Sequence, residues 1–242
     1  MLTFHVISLF PESLESYLGA SIVKRAQERG AISIKYYNPR DFAQDEKTIS
    51  KSAGKKSVAM TYSERRVDNR PYGGGPGMVI EAMPVIRAID AAVGKKITGG
   101  KSKVKKGKST VKIIFFSPAG KQFSNEIAET YKKYTDIVLV CGRYEGIDAR
   151  IKKAFPMTDI SIGEYVLTGG ELPAMVMIDA ITRRISGVLG DDLSIEESRI
   201  ASPDVYTRPE VIEFKKKKFR VPKVLLSGDH KKIEEWKVGR KK

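Results

Sequence analysis

The chain has 242 residues, is 41% hydrophobic and carries a formal net charge of +15. That length holds one substantial domain, or one domain with a small appendage. No apolar run is long enough to cross a membrane, so no membrane association is expected, and the single cysteine, Cys141, rules out an intrachain disulfide and argues against a cysteine-based metal site, as in a reducing cytoplasm.

The charge is unevenly placed. Gly94–Lys112 carries eight lysines and no acid, Asp204–Lys242 carries +7, and the rest of the chain is neutral. A neutral body with two basic appendages suits a polyanion such as nucleic acid. A solubilising tail and a solvated loop would give the same distribution.

In chain order, the segment MLTFHVISLFPES has no basic flank and no small-residue cleavage site. It therefore reads as a buried strand, Thr3–Ser8, and not as a signal peptide. A short helix with Leu14, Tyr17 and Leu18 follows Pro11; a second runs from Ser21 as N-cap to Gly30 as stop. Ala31–Asn38 alternates like a strand, which completes a β-α-β rhythm and implies an α/β domain with a mainly parallel sheet. Asp45–Arg70 is polar and lacks a period, as a loop does. It leads into Pro71–Met78, where four glycines and two prolines in eight residues demand a shaped loop with exposed amides. No Gly-Lys-Ser/Thr follows at the spacing a Walker loop needs, which excludes the nucleoside-triphosphatase reading.

Val79–Ala92 reads as helix, Val111–Phe116 as a buried strand ending in Ser117–Gly120, and Ser124 as the cap of a helix reaching about Tyr134. Asp136–Cys141 is another buried strand, ending in Gly142-Arg143-Tyr144-Glu145-Gly146. The apolar run Ile160–Leu167 breaks at Gly169-Gly170, and helical spacing resumes through Leu172, Met175, Val176, Ile178 and Ile181, with Arg183 at the far end. Three glycine-containing loops thus follow strands, and in open α/β sheets ligands sit at the carboxyl ends of strands. A plain strand–turn–helix junction would account for Gly169-Gly170 equally well. Asp191–Pro203 reads as an interdomain linker, and the chain from Asp204 as a short basic domain, helical near Lys231–Val238.

Several long motifs occur in one order: ISLFPE at Ile7–Glu12, PRDF at Pro39–Phe42, VDNRPYGGGPGM at Val67–Met78 and FSPAG at Phe116–Gly120. LVCGRYEGID at Leu139–Asp148, SIGEYVLTGGELPAM at Ser161–Met175, YTRPEV at Tyr206–Val211 and LLSGDHKKIEEW at Leu225–Trp236 complete the series. Together they resemble the bacterial tRNA (guanine-N1)-methyltransferases of the SPOUT, or knotted, class. The resemblance implies a deep trefoil knot in residues 1–190, the linker 191–203, and a small helical tRNA-binding domain over 204–242. It also implies a cytoplasmic homodimer with shared sites, S-adenosylmethionine as cofactor with magnesium assistance, and tRNA as substrate at the guanosine immediately 3′ of the anticodon.

By the same resemblance, Phe115, Phe116, Ser117, Pro118, Gly120, Gly142 and Tyr144 line the cofactor pocket, together with Ile162, Gly163, Glu164, Tyr165, Val166, Leu167, Gly169 and Gly170. Asp68, Gly77 and Glu145 lie at the target guanine, and Arg183 is the catalytic arginine. Taking the N1 proton requires a carboxylate base, and charge developing at O6 requires a cation. The family's base is an acid before a serine in the linker; Glu197 is the preferred match, with Glu196 and Asp204 in reserve. The residues present no dedicated metal site. The family continues with more helix beyond Trp236, so part of the tRNA grip is expected to pass to the C-terminal lysines. Two alternatives stay open, a non-catalytic RNA-binding relative that keeps the pocket and a knotted methyltransferase for another RNA position.

Overall fold

A computed structural model describes residues 1–43, 66–97, 110–189 and 204–239. Most of the lysine-rich insert, the linker 191–203 and with it Glu196 and Glu197 lie outside the described residues. The chain divides into two compact units, Met1–Val188 and Leu189–Lys242.

The first unit is built on five strands: β1 (Leu2–Ile7), β2 (Ile32–Tyr37), β5 (Val111–Gln122), β6 (Asp136–Val140) and β7 (Thr158–Ser161), with the short β3 (Asp68–Asn69) and β4 (Val79–Ile80) pairing apart from them. Their order is β2-β1-β6-β5-β7, and every pairing in this sheet is parallel. Parallel strands need both faces covered. Alternation along β6 shows how: Ile137 and Leu139 enter one core with helices α1 (Glu12–Leu18), α2 (Ser21–Glu28) and α6 (Glu171–Thr182), while Val138 and Val140 enter another with α3 (Ala82–Val93). The remaining helices of this unit, α4 (Asn125–Tyr131) and α5 (Ile151–Ala154), pack on opposite faces through Ala128 and Ile151.

Sequence periodicity misplaces three boundaries. Ser21 lies inside its helix instead of capping it; Ala20 is the N-cap, and no side chain bonds there. Val79 and Ile80 form a strand paired with Asp68–Asn69 before helix α3 starts at Ala82. Strand β5 does not end at Phe116. It bulges at Ser117–Gly120 and resumes, so that Phe116 and Lys121 both oppose Ile160. Pro118 cannot donate to a ladder, and at Gly120 a Cβ would come within 2.6 Å of the Asp159 carbonyl carbon, so the returning strand demands glycine.

The second unit contains the expected C-terminal helix, α8 (His230–Val238), capped by the Asp229 side chain. Ahead of it are α7 (Lys223–Leu226) and a hairpin that the lysine-rich composition hides: β8 (Val211–Phe214) and β9 (Lys217–Arg220) pair antiparallel. Lys215 and Lys216 turn the corner with φ of 48° and 62°, the twist a two-residue hairpin requires. The expected small helical domain is therefore a mixed α/β unit.

Gly170 sets how closely α6 approaches the end of β6, since a Cβ there would lie 2.6 Å from the Cys141 Cα. Gly170→Ala is expected to cost about 1–3 kcal/mol by overpacking. Urea unfolding of the variant against the parent measures it.

Candidate cofactor and guanine site

Because β5, β6 and β7 run parallel, their carboxyl ends share one edge of the sheet. The loops leaving them enclose a cavity of about 480 Å³, a size typical of small-molecule sites. Thirteen of the fifteen expected cofactor residues line it: Phe115, Phe116, Ser117, Pro118, Gly142, Tyr144, Ile162, Gly163, Tyr165, Val166, Leu167, Gly169 and Gly170. Gly120 and Glu164 do not. Gly120 instead holds the return of β5 against β7, and Glu164 is exposed.

Backbone interactions tie the second and third loops together. The Gly170 amide donates to the Gly142 carbonyl at 3.0 Å, and Arg143 bridges Gly169. Side chains tighten the same junction. The Glu171 carboxylate, at the start of α6, accepts from Ser8 Oγ at 2.6 Å and pairs with Arg143 Nε at 3.0 Å. That N–O separation is an ion pair whose angle is poor for a hydrogen bond. The Arg143 guanidinium also lies over the Phe10 ring, 4.8 Å from its centre, and the Phe10 amide donates to Ser8 Oγ. Ser8, Phe10, Arg143 and Glu171 were not singled out from the sequence. The available signal was an acid and an arginine beside glycines, with ISLFPE having no other role. Cys141, beneath this junction, is fully buried, and burial reinforced by the Glu171 charge pushes its thiol well above the ordinary range.

Two of the three residues expected at the guanine are brought together. The Glu145 amide donates to the Met78 carbonyl at 3.0 Å, and the Ile80 amide to the Gly146 carbonyl. These bonds lay the glycine-rich loop on the 144–148 turn, so that a Cβ at Gly77 would strike the Glu145 carboxylate at 2.5 Å. Gly77 has φ of 88°, and Tyr144 takes the left-handed region at 59° beside the cavity. Asp68 is on β3, paired opposite Ile80, with Arg66 Nη2 at 3.4 Å from its carboxylate. Arg183 does not line the cavity. It caps the far end of α6, about 20 Å along the axis from Gly170 at 1.5 Å per residue. Asp204 lies in the second unit, beyond the linker.

A sequence model described as tRNA (Guanine-1)-methyltransferase TrmD matches residues 2–242. The chain belongs to this family. A relative from Alkaliphilus oremlandii named tRNA (guanine-N(1)-)-methyltransferase is 41% identical over 236 residues, which span 96% of this chain and 84% of the relative. One of the same name from Clostridioides difficile is 39% identical over 238 residues, covering 97% and 90%. The crystal structure of tRNA (m1G37) methyltransferase from Aquifex aeolicus superposes with a TM-score of 0.70 at 33% identity, over 98% of this chain and 88% of that one. The parallel sheet and its loop edge are thus those of a methyltransferase family that uses S-adenosylmethionine.

The cavity wall presents glycine main chain at Gly142, Gly163, Gly169 and Gly170 beside the apolar side chains of Ile162 and Leu167. Among the lining cations, Arg143 is tied to Glu171 and Lys152 to Asp159 at 2.6 Å, so no basic cradle for phosphate is built here. Such a lining suits an unphosphorylated nucleoside bearing a sulfonium.

Breaking the Arg143–Glu171 pair should loosen both loops. Glu171→Ala is expected to destabilise the fold toward the low end of the about 3–5 kcal/mol seen for broken buried pairs, because Arg143 retains some solvent contact. Cofactor affinity measured by calorimetry should fall with it.

Proposed function

We propose that this protein transfers a methyl group from S-adenosylmethionine to N1 of a tRNA guanosine, the one immediately 3′ of the anticodon, in the cytoplasm. The observation that carries the reading is the seating of Gly77 and Glu145 on the turn that also walls the donor cavity. A guanine held there lies beside the donor. When bound, the donor supplies an electrophilic methyl carbon. The protein's own task is to hold the base in line and remove a proton that water would leave on N1 at neutral pH.

In this reading Glu145, Asp68 and the Gly77 main chain hold the guanine edge. Glu197 takes the N1 proton, with Glu196 and Asp204 as reserves, and Arg183 offsets the negative charge that develops at O6. Because Arg183 lies a helix length from the cavity of its own chain, the reading needs a second subunit. Helix α6 supports one. It is apolar on nearly every side, burying Ala174, Met177, Ile178 and Ile181, yet Leu172 and Val176 remain 54% and 45% exposed. A helix hydrophobic all round is normally covered. Positions 172, 176 and 183 fall on one stripe, so a homodimer closing over it would carry each Arg183 toward its partner's site. The loops at 142–146 and 161–170 are assigned to the deep trefoil knot, consistent with the close passage of Gly170 over Cys141.

The second unit supports tRNA binding. Its hairpin exposes Ile212, Phe214 and Phe219 beside Lys215–Lys218, with Lys215 Nζ over the Phe214 ring. Aromatic faces among cations suit single-stranded RNA. Among the described residues no helix is long and apolar enough to cross a membrane.

Incubation with methyl-labelled donor and a tRNA transcript, followed by mapping of the modified base, tests the reading; label on a ribose or on another base overturns it. Arg183→Ala and Glu197→Gln should each lower turnover at least about 100-fold, the low end for a positioned proton-transfer group or charge stabiliser. Donor affinity should survive in both variants. Repeating the assay with a chelator shows whether magnesium assists.

A further inference from the structure

Tyr17 is half exposed on α1, yet its hydroxyl is engaged. It donates to Asp179 Oδ2 at 2.5 Å, across the line where α1 packs on α6. Leu14 and Leu18 of α1 are buried in the core that also takes Ala174 and Ile178 of α6, which fixes the two helices side by side. The tyrosine is thereby held against one particular turn of α6. Asp179 lies on the same stripe of that helix as Leu172, Val176 and Arg183. The Arg183 amide donates to the Asp179 carbonyl at 3.1 Å, so the arginine stands one helical turn beyond the acid.

An aspartate and an arginine four residues apart on a helix surface attract each other and commonly pair. Here they do not. Among the described residues Arg183 has no ion pair, and the Asp179 carboxylate takes its hydrogen bond from Tyr17. The difference matters because Arg183 has to reach the guanine held by the partner, and a pair within its own helix would hold it back. We propose that Tyr17 is a positioning residue for methyl transfer: by occupying Asp179 it keeps that carboxylate from capturing Arg183 and leaves the guanidinium available to the partner's site. A plain clip between two helices would depend on the hydrogen bond alone. The negative charge of Asp179 is what separates the two roles. This rests on the reading of Arg183 as the group that offsets charge at O6.

Single-turnover methylation by the full-length protein, at saturating tRNA and donor, tests the assignment. Tyr17→Phe should slow the methyl-transfer step about 2- to 5-fold, the upper part of the range for an exposed ion pair, with donor affinity unchanged. Asp179→Asn should react at the parent rate. The double variant carrying Tyr17→Phe and Asp179→Asn should recover that rate, because an amide has no charge with which to hold the arginine. A crystal structure of Tyr17→Phe should show the Arg183 guanidinium on the Asp179 carboxylate. A slow step that persists in the double variant, or a parent rate in Tyr17→Phe, overturns the assignment, as does an Arg183 still unpaired in that crystal structure. Parent-level turnover in Arg183→Ala defeats the reading of Arg183 instead, and the structure of Tyr17→Phe still decides whether the tyrosine keeps acid and arginine apart.

Discussion

A carboxylate buried at the start of a helix organises the loop edge. Glu171 is nearly inaccessible, and an unpaired charge there would cost several kcal/mol. Three interactions offset that cost: the Ser8 hydroxyl, the Arg143 guanidinium and the positive end of the helix Glu171–Thr182. Each belongs to a different part of the chain. Ser8 follows β1, Arg143 follows β6, and Glu171 follows the loop after β7, so satisfying one charge brings three segments to one place. The walls of the cavity at the loop edge are a by-product of that electrostatic requirement.

Glycines make the convergence sterically possible. At Gly170 and Gly120 the main chain passes so close to a neighbouring backbone that a single carbon would collide. At Gly77 the conflict is with the Glu145 side chain, so only glycine lets the glycine-rich loop lie on the turn that carries the proposed guanine contact. Close approach, more than flexibility, is the common reason for glycine at these three positions.

The helix Glu171–Thr182 links the site to assembly. Its inner face packs on the sheet, while Leu172 and Val176 stay open to solvent on the stripe that ends at Arg183. A single chain therefore offers the cavity at the loop edge and an arginine that does not line it. Catalysis in the proposed sense is a property of two chains, and a variant that weakens pairing would lose turnover before it loses donor binding.

Local pattern was enough to read the parallel α/β domain, because buried strands such as Asp136–Val140 are continuous apolar runs and their helices keep a 3.6-residue period. Thirteen cavity residues were also legible, since all but Phe115 belong to a glycine-bearing motif that resembles one family along the chain. What the sequence could not reveal depends on contacts between distant segments. The bulge in β5 is set by the approach of β7, the hairpin at 211–220 by cross-strand pairing, and the Ser8–Glu171–Arg143 junction by residues up to 163 positions apart. Only tertiary structure could decide these, because composition and periodicity describe a segment's own preferences and carry no information about which charge it will be asked to neutralise.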